Sequence, residues 1–237
     1  MDKVTKRVTE ALKKISQVFD AYVEIAEGFA YWRTRPWQIV RLDGRGAILD
    51  LGAGTCLNGI YAYKHGGQRL LCIDISYVMS FIGRRNLIRE RIPGDSIAGD
   101  MLFLPLRENT FHSIIAVASL HHIPRELLPI VLKEVKRVAV NGAIVIIVVW
   151  SWRQARFVIP TIMNVVLRIL GMTRDIKEYN IPWRRRERVI YRYYRLYTLE
   201  ELLKFCRIHG FKVLSHGYIG YIKNKSDNVY MVLKVVK

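Results

Sequence analysis

The sequence predicts an α/β fold: a doubly wound, mostly parallel sheet with an antiparallel C-terminal strand and an N-terminal helical extension. Three observations carry this. Short apolar runs alternate with amphipathic stretches over residues 47–150, the pattern of βαβ units around a parallel sheet. A Gly-x-Gly turn, Gly52 and Gly54, follows the first run. After residue 198 the pattern changes to one helix followed by two strand-like runs, "FKVLSHGY" and "NVYMVLKVV".

The elements follow in order. Residues 1–46 read as a helical cover, largely helical over 1–40. The core, 47–151, opens with "AILDLG" (47–52), then "RLLCIDI" (69–75), a helix from Val78 to Arg91 closed by Pro93-Gly94, and "SIAGD" (96–100). "FHSIIAVAS" (111–119) is the fourth strand. A helix spans 125–140, with Asn141-Gly142 as its stop. "AIVIIVVW" (143–150) has the length and β-branched content of a buried strand. Residues 152–197 read as a basic insertion over the carboxyl edge, irregular over 152–190 except for the apolar helical stretch "FVIPTIMNVVLRILG" (157–171). That stretch suits a cover over the site, an extra core helix or a contact with a partner. Residues 198–237 hold a helix with a Thr198/Glu201 capping box and a stop at Gly210, then the strand pair. The whole chain reads as one domain, with ligands expected at the carboxyl ends of the strands.

The net charge of +18 is unevenly spread. Residues 47–151 carry 11 Lys+Arg against 8 Asp+Glu, whereas residues 172–237 carry 15 against 6. A polyanionic partner facing the C-terminal part is expected, nucleic acid before anionic membrane. Cys56, Cys72 and Cys206 lack metal-site spacing, so neither a disulfide framework nor a metal site is expected. No apolar run approaches the roughly 20 residues that span a bilayer, and no secretory signal is visible. The expectation is a cytoplasmic protein without a membrane partner.

Acids close the first three strands: Asp50 before the glycine turn, Asp74 in "CIDIS" and Asp100 in "AGDMLFLP". Glycines let backbone approach a ligand, and an acid after strand two can accept from ribose hydroxyls. This triad resembles the class I S-adenosylmethionine-dependent methyltransferases, with their Rossmann-like sheet. The resemblance implies cofactor contacts from Asp50, Gly52, Gly54, Asp74, Ile75, Asp100, Met101 and Ser119. A dinucleotide fingerprint would have glycine where Leu57 stands.

Four further stretches resemble the tRNA wobble-uridine carboxymethyl methyltransferases: "YVEIAEGFAYWRTRPWQIV" (22–40), "DMLFLP" (100–105), "SLHHI" with "VVWSWRQ" (119–123 and 148–154), and "YRYYRLYTLEELLKFCRIHGFKV" (191–213). The resemblance implies methyl esterification of 5-carboxymethyluridine at position 34. A carboxylate is already ionised at neutral pH, with a reference pKa near about 4, so the site needs a cation more than a base, and arginine suits it best. Arg33, Arg35 and Arg192 occupy motif positions. Arg192, Arg33, His121 and His122 are the catalytic candidates, with one histidine facing the substrate. Tyr22 is expected over the cofactor. Trp150 and Trp183 are candidates for base stacking. Arg184, Arg185, Arg186, Arg188 and Arg195 are candidates for tRNA contact. On an extended strand Arg192 and Arg195 point to opposite faces, and only one enters the pocket. The resemblance also implies a small zinc-binding activator protein as a partner.

The chain departs from that family at Cys56 (usually glycine), His112 (aspartate), Ile123 (tryptophan), Arg153 (a carboxylate) and Arg195 (histidine). A quinone- or lipid-type methyltransferase and a non-enzymatic RNA-binding protein on the same fold are the alternatives.

Overall fold

The computed structural model describes residues 2–42, 46–171, 175–185, 188–220 and 227–237, without the side chains of Lys3, Ala155 and Arg185. The chain opens with α1 (Lys3–Trp32). Asp2 caps it, accepting from the Thr5 amide at 2.7 Å. Ala11, Ile15, Val18, Ile25 and Ala26 recur at helical spacing and are buried.

The core alternates β1 (Ala47–Leu51), α2 (Leu57–Lys64), β2 (Arg69–Asp74), α3 (Tyr77–Arg89), β3 (Gly94–Ala98), β4 (Phe111–Val117), α4 (Leu128–Val138) and β5 (Ala139–Trp150). After the insertion come α6 (Leu199–Ile208), β8 (Phe211–Ile219) and β9 (Asn228–Val235). The sheet runs β3-β2-β1-β4-β5-β9-β8, and β9 alone is antiparallel to its neighbours. This is the class I methyltransferase fold, as the sequence predicts. Ile48, Leu49 and Leu51 are buried on both faces of β1, as a parallel strand covered by helices requires. One face of α4, Leu128, Val131, Leu132, Val135 and Val138, closes the core.

Two boundaries differ from expectation. Asn141-Gly142 does not stop a helix: it lies inside β5, where Gly142 has φ +84° beside a shift in the β4–β5 register. A bulge absorbs the dipeptide's turn preference. β3 begins at Gly94, where a Cβ would sit 2.1 Å from the Leu70 carbonyl oxygen, so only glycine lets the two backbones pair.

The reading of 152–190 as irregular is corrected. It contains α5 (Val158–Ile169) and the hairpin β6 (Glu178–Arg185) and β7 (Arg188–Arg195). The hairpin escapes sequence reading because residues 192–197 are all buried, so β7 lacks the usual alternation. Pro182 further weakens a strand reading for β6.

α5 is not a core helix. Its polar side chains hold it: the Thr161 hydroxyl bonds that of Tyr179 at 2.7 Å, and Asn164 donates to the Ile176 and Glu178 carbonyls. Val158, Ile159, Ile162, Met163 and Ile169 point outward.

Candidate active site

A cleft opens at the carboxyl ends of β1, β2 and β4, under α1. Its lining includes Tyr22, Arg33, Gly52, Gly54, Asp74, Ile75, Asp100, Met101, Ser119 and His122. Sequence-adjacent pairs and residues a hundred positions apart thus converge on one space.

The floor is backbone. Gly52 has φ +64°, and a Cβ there would lie 2.3 Å from that of Ser119. Gly54 has φ +53°, and a Cβ on it would meet only Phe29, at 4.0 Å. The first glycine therefore lets β1 and β4 approach, and the second leaves the cleft clear. Cys56 also takes a left-handed φ of 61° and caps α2. Its buried sulfur packs against Gly83, where a Cβ would lie 2.6 Å away.

Asp74 sits at the cleft wall. It accepts from the Gly54 amide at 2.7 Å and the Ser76 amide at 2.9 Å. Burial raises its pKa to about 6 despite those two bonds, which act in the opposite direction. Asp100 accepts from the Leu102 amide at 2.9 Å, and burial raises it too.

Asp50 is placed differently from the other acids. It lies behind the glycine turn, 1% exposed, and accepts from the Gly59 amide at 2.9 Å. It is not among the cleft residues; it fastens the first turn of α2 to β1. Burial raises its pKa to about 7.

The two histidines differ. His122 Nδ1 contacts the Tyr193 carbonyl at 2.8 Å, so it carries the proton, and Nε2 accepts from the Tyr22 hydroxyl at 2.9 Å. Burial lowers its pKa to about 3, and it is neutral. His121 lies behind it, stacked on Tyr194 at 4.6 Å with an interplanar angle of 15°. Burial, followed by the neighbouring His122 ring and the charges of Arg192, Arg33 and Arg156, pushes its pKa well down.

Beside the cleft stands an aromatic group. Tyr194 and Trp150 lie 4.7 Å apart. Arg192, 5% exposed, sets its guanidinium carbon 5.1 Å from the Trp183 ring and 5.3 Å from the Tyr194 ring. Its buried Nε has no hydrogen-bond partner, nor does the buried Ser119 hydroxyl at the cleft. Among the described residues no carboxylate lies within ion-pair distance of Arg192.

Arg195 does not reach this space, which corrects its expected contact with tRNA. It lies on the opposite face of β7, 1% exposed, bonded to Glu201 at 2.5 and 2.8 Å and to Asp175 at 3.0 Å. Two distant carboxylates convert a strand arginine into a structural one.

Two of the hairpin's other arginines, Arg184 and Arg188, are not among the cleft residues. Arg184 is exposed, and Arg188 is exposed with a 3.9 Å approach to Glu24. The Arg185 side chain and Arg186 fall outside the described residues. Arg35 is exposed, while Arg33 is half-buried at the end of α1, its guanidinium carbon 5.8 Å from the Trp37 ring. Sequence reasoning missed Arg156 and Tyr194, which complete the aromatic group; no spacing signal marks either.

The lining suits S-adenosylmethionine. Asp74 retains unused lone pairs for ribose hydroxyls, the cleared face of Gly54 admits close contact, and the orphaned Ser119 hydroxyl lacks a partner that a ligand can supply.

Comparisons with known proteins agree with this reading. Residues 48–142 match the family described as a methyltransferase domain. The chain is 29% identical over 206 residues to a protein of Encephalitozoon cuniculi described as a candidate methyltransferase, covering 83% of this chain and 87% of that one. It is 28% identical over 138 residues to a demethylmenaquinone methyltransferase of Renibacterium salmoninarum, covering 55% of this chain and 56% of that one. Among solved structures, an S-adenosylmethionine-dependent methyltransferase of Methanosarcina mazei superposes with a TM-score of 0.69 at 15% identity, covering 86% of this chain and 99% of that one. The 1,6-didemethyltoxoflavin N1-methyltransferase of Burkholderia thailandensis, solved with its substrate and S-adenosylhomocysteine, gives 0.67 at 16% identity, covering 96% and 91%.

Proposed function

We propose, from the premise that residues 48–142 are a class I methyltransferase domain using S-adenosylmethionine, that the acceptor is a carboxylate, and that it is borne by 5-carboxymethyluridine at the tRNA wobble position. One observation carries the acceptor class: the buried guanidinium of Arg192, with an unpartnered Nε and aromatic rings around it. A buried cation without a counter-ion is costly, and a substrate anion relieves that cost. The resemblance of residues 22–40 and 191–213 to the wobble-uridine enzymes supports the finer assignment.

The cofactor supplies an electrophilic methyl group on a sulfonium. Asp74, Asp100 and the backbone at Gly52 and Gly54 would hold it while a carboxylate oxygen of the acceptor takes that methyl, a C–O bond replacing the C–S bond whose electron pair would stay on sulfur. No proton moves, so the neutral His122 is not required as a base. Its role is to hold Tyr22 over the cleft. Arg192 holds one carboxylate oxygen and leaves the other free to attack. The half-buried Trp183, beside the Arg192 guanidinium, supplies a face for a base. The exposed Arg184 and Arg188 suit phosphate contact.

The test is methyl transfer to tRNA bearing 5-carboxymethyluridine, with and without a small zinc-binding activator, together with mass spectrometry of wobble nucleosides from a deletion strain. Accumulation of carboxymethyluridine in that strain is the expected result. Tight cofactor binding with no transfer to such tRNA under either condition removes the reading and leaves a small-molecule acceptor.

A further inference from the structure

Arg192 is not the only cation at the aromatic group. Arg156 places its guanidinium carbon 4.1 Å from the Trp150 ring and 5.0 Å from the Phe157 ring. Trp150 is 4.7 Å from Tyr194, and Tyr194 also has the Arg192 guanidinium 5.3 Å from its ring. The two guanidinia therefore flank one aromatic pair. Tyr194 feels both charges, and burial, with Arg192 adding to it, lowers the pKa of Arg156.

Arg156 is fixed for this place. Its Nε donates to the Gln154 side-chain oxygen at 2.7 Å, and Gln154 donates in turn to the Asp227 carbonyl. Gln154 is 7% exposed. The Arg156 donors on the other edge are not taken by any carboxylate within ion-pair distance among the described residues. A polar relay thus holds an exposed guanidinium against the Trp150 ring, with no carboxylate in ion-pair contact among the described residues. Structural arginines of this chain behave otherwise: Arg195 and Arg137 are satisfied by carboxylates.

We propose that Arg156 and Arg192 form a two-guanidinium site that binds an anionic oxygen group of the acceptor, with Gln154 as the positioning residue for Arg156. The proposal deepens the carboxylate reading of the same site and rests on it. Two cations add to what Arg192 does alone: together they set a steeper preference for the anion over its neutral amide.

The experiment is calorimetric titration of the full chain in the presence of S-adenosylhomocysteine. The probes are 5-carboxymethyluridine and its carbamoylmethyl amide, indole-3-acetate and indole-3-acetamide, and inorganic phosphate. Wild-type protein is compared with Arg156→Gln, Arg156→Lys and Gln154→Ala. The expected result is that each carboxylate binds at least tenfold more tightly than its amide, and that Arg156→Gln and Gln154→Ala remove most of that ratio. Arg156→Lys should restore it in part, because the charge remains but the fork geometry is lost. If the indole pair behaves so but the uridine pair does not bind, the two-arginine site stands and the uridine reading falls. If carboxylate and amide bind equally, if Arg156→Gln leaves the ratio unchanged, or if phosphate outcompetes both carboxylates, the site is not a carboxylate clamp. Arg156 is exposed, so its variants are expected to fold; an unchanged thermal midpoint verifies this.

Discussion

The Tyr22 hydroxyl donates to Nε2 of His122 at 2.9 Å, while Nδ1 of the same ring donates to the Tyr193 carbonyl at 2.8 Å. One neutral imidazole thereby ties the N-terminal helix, the loop after β4 and the basic hairpin together over the cleft. Tyr22 is also anchored through its own carbonyl, which accepts from the Ser76 hydroxyl at 3.1 Å.

Tyr22→Phe is therefore expected to loosen this closure without altering the sheet. It leaves a buried imidazole nitrogen without a donor, at a cost of about 1–3 kcal/mol. Urea denaturation should show that loss, and S-adenosylhomocysteine titration a several-fold weaker affinity. Equal affinity would detach Tyr22 from cofactor binding.

Cofactor affinity should depend on pH through Asp74. Its pKa is raised by burial to about 6, so the carboxylate proposed to accept the cofactor's ribose hydroxyls forms as pH rises through that value. Affinity for S-adenosylhomocysteine should rise between about pH 5 and 7, and Asp74→Asn should flatten the profile and lower it. The stability sign is opposite: with the folded pKa above the unfolded one, the contribution of this group is full at low pH and is lost as pH rises toward 7.

Arg195 and Arg192 should separate cleanly, although they lie three residues apart on one strand. Arg195→Ala breaks a buried ion pair and strands Glu201 and Asp175, a loss of about 3–5 kcal/mol. Burial raises the Glu201 pKa, but the Arg195 and Lys177 charges outweigh it and hold it at about 2. The stability from this pair is thus present above the ordinary glutamate range and is lost as pH falls toward 2. Thermal melts at pH 7 and pH 3 measure both effects.

Arg192→Ala removes a buried cation that has no carboxylate counter-ion among the described residues, so its melting temperature should stay equal or rise. Methyl transfer should be abolished while affinity for S-adenosylhomocysteine is kept. Retained transfer would remove Arg192 from the acceptor site.

Asp50→Asn should raise stability at pH 8, because above its pKa of about 7 the buried carboxylate is charged at a cost the neutral amide does not carry, and an amide oxygen can still accept from Gly59. Asp50→Ala leaves that amide unpaired and should cost about 1–3 kcal/mol.

Much of this molecule is legible in local pattern. The runs 47–52, 69–75, 111–119 and 143–150 are strands because β-branched and leucine-rich stretches bounded by helices have no other place to be buried. Gly52 and Gly54 need their residue type because of positive φ and close approach, and Asp74 and Asp100 arrive at the cleft because they end strands beside that turn. The hairpin, the bulge at Gly142 and the outward apolar face of α5 were not legible, because each depends on what distant segments place opposite it. The arginines show this most clearly. "RRRERVIYRYYRLY" announces basicity, and strand alternation puts Arg192 and Arg195 on opposite faces. Only the tertiary structure brings Asp175 and Glu201 to Arg195, leaves Arg192 with aromatic rings instead of a carboxylate, and carries Arg156 across to join it. A buried charge takes its role from the counter-charges around it, and those come from positions the local sequence does not contain.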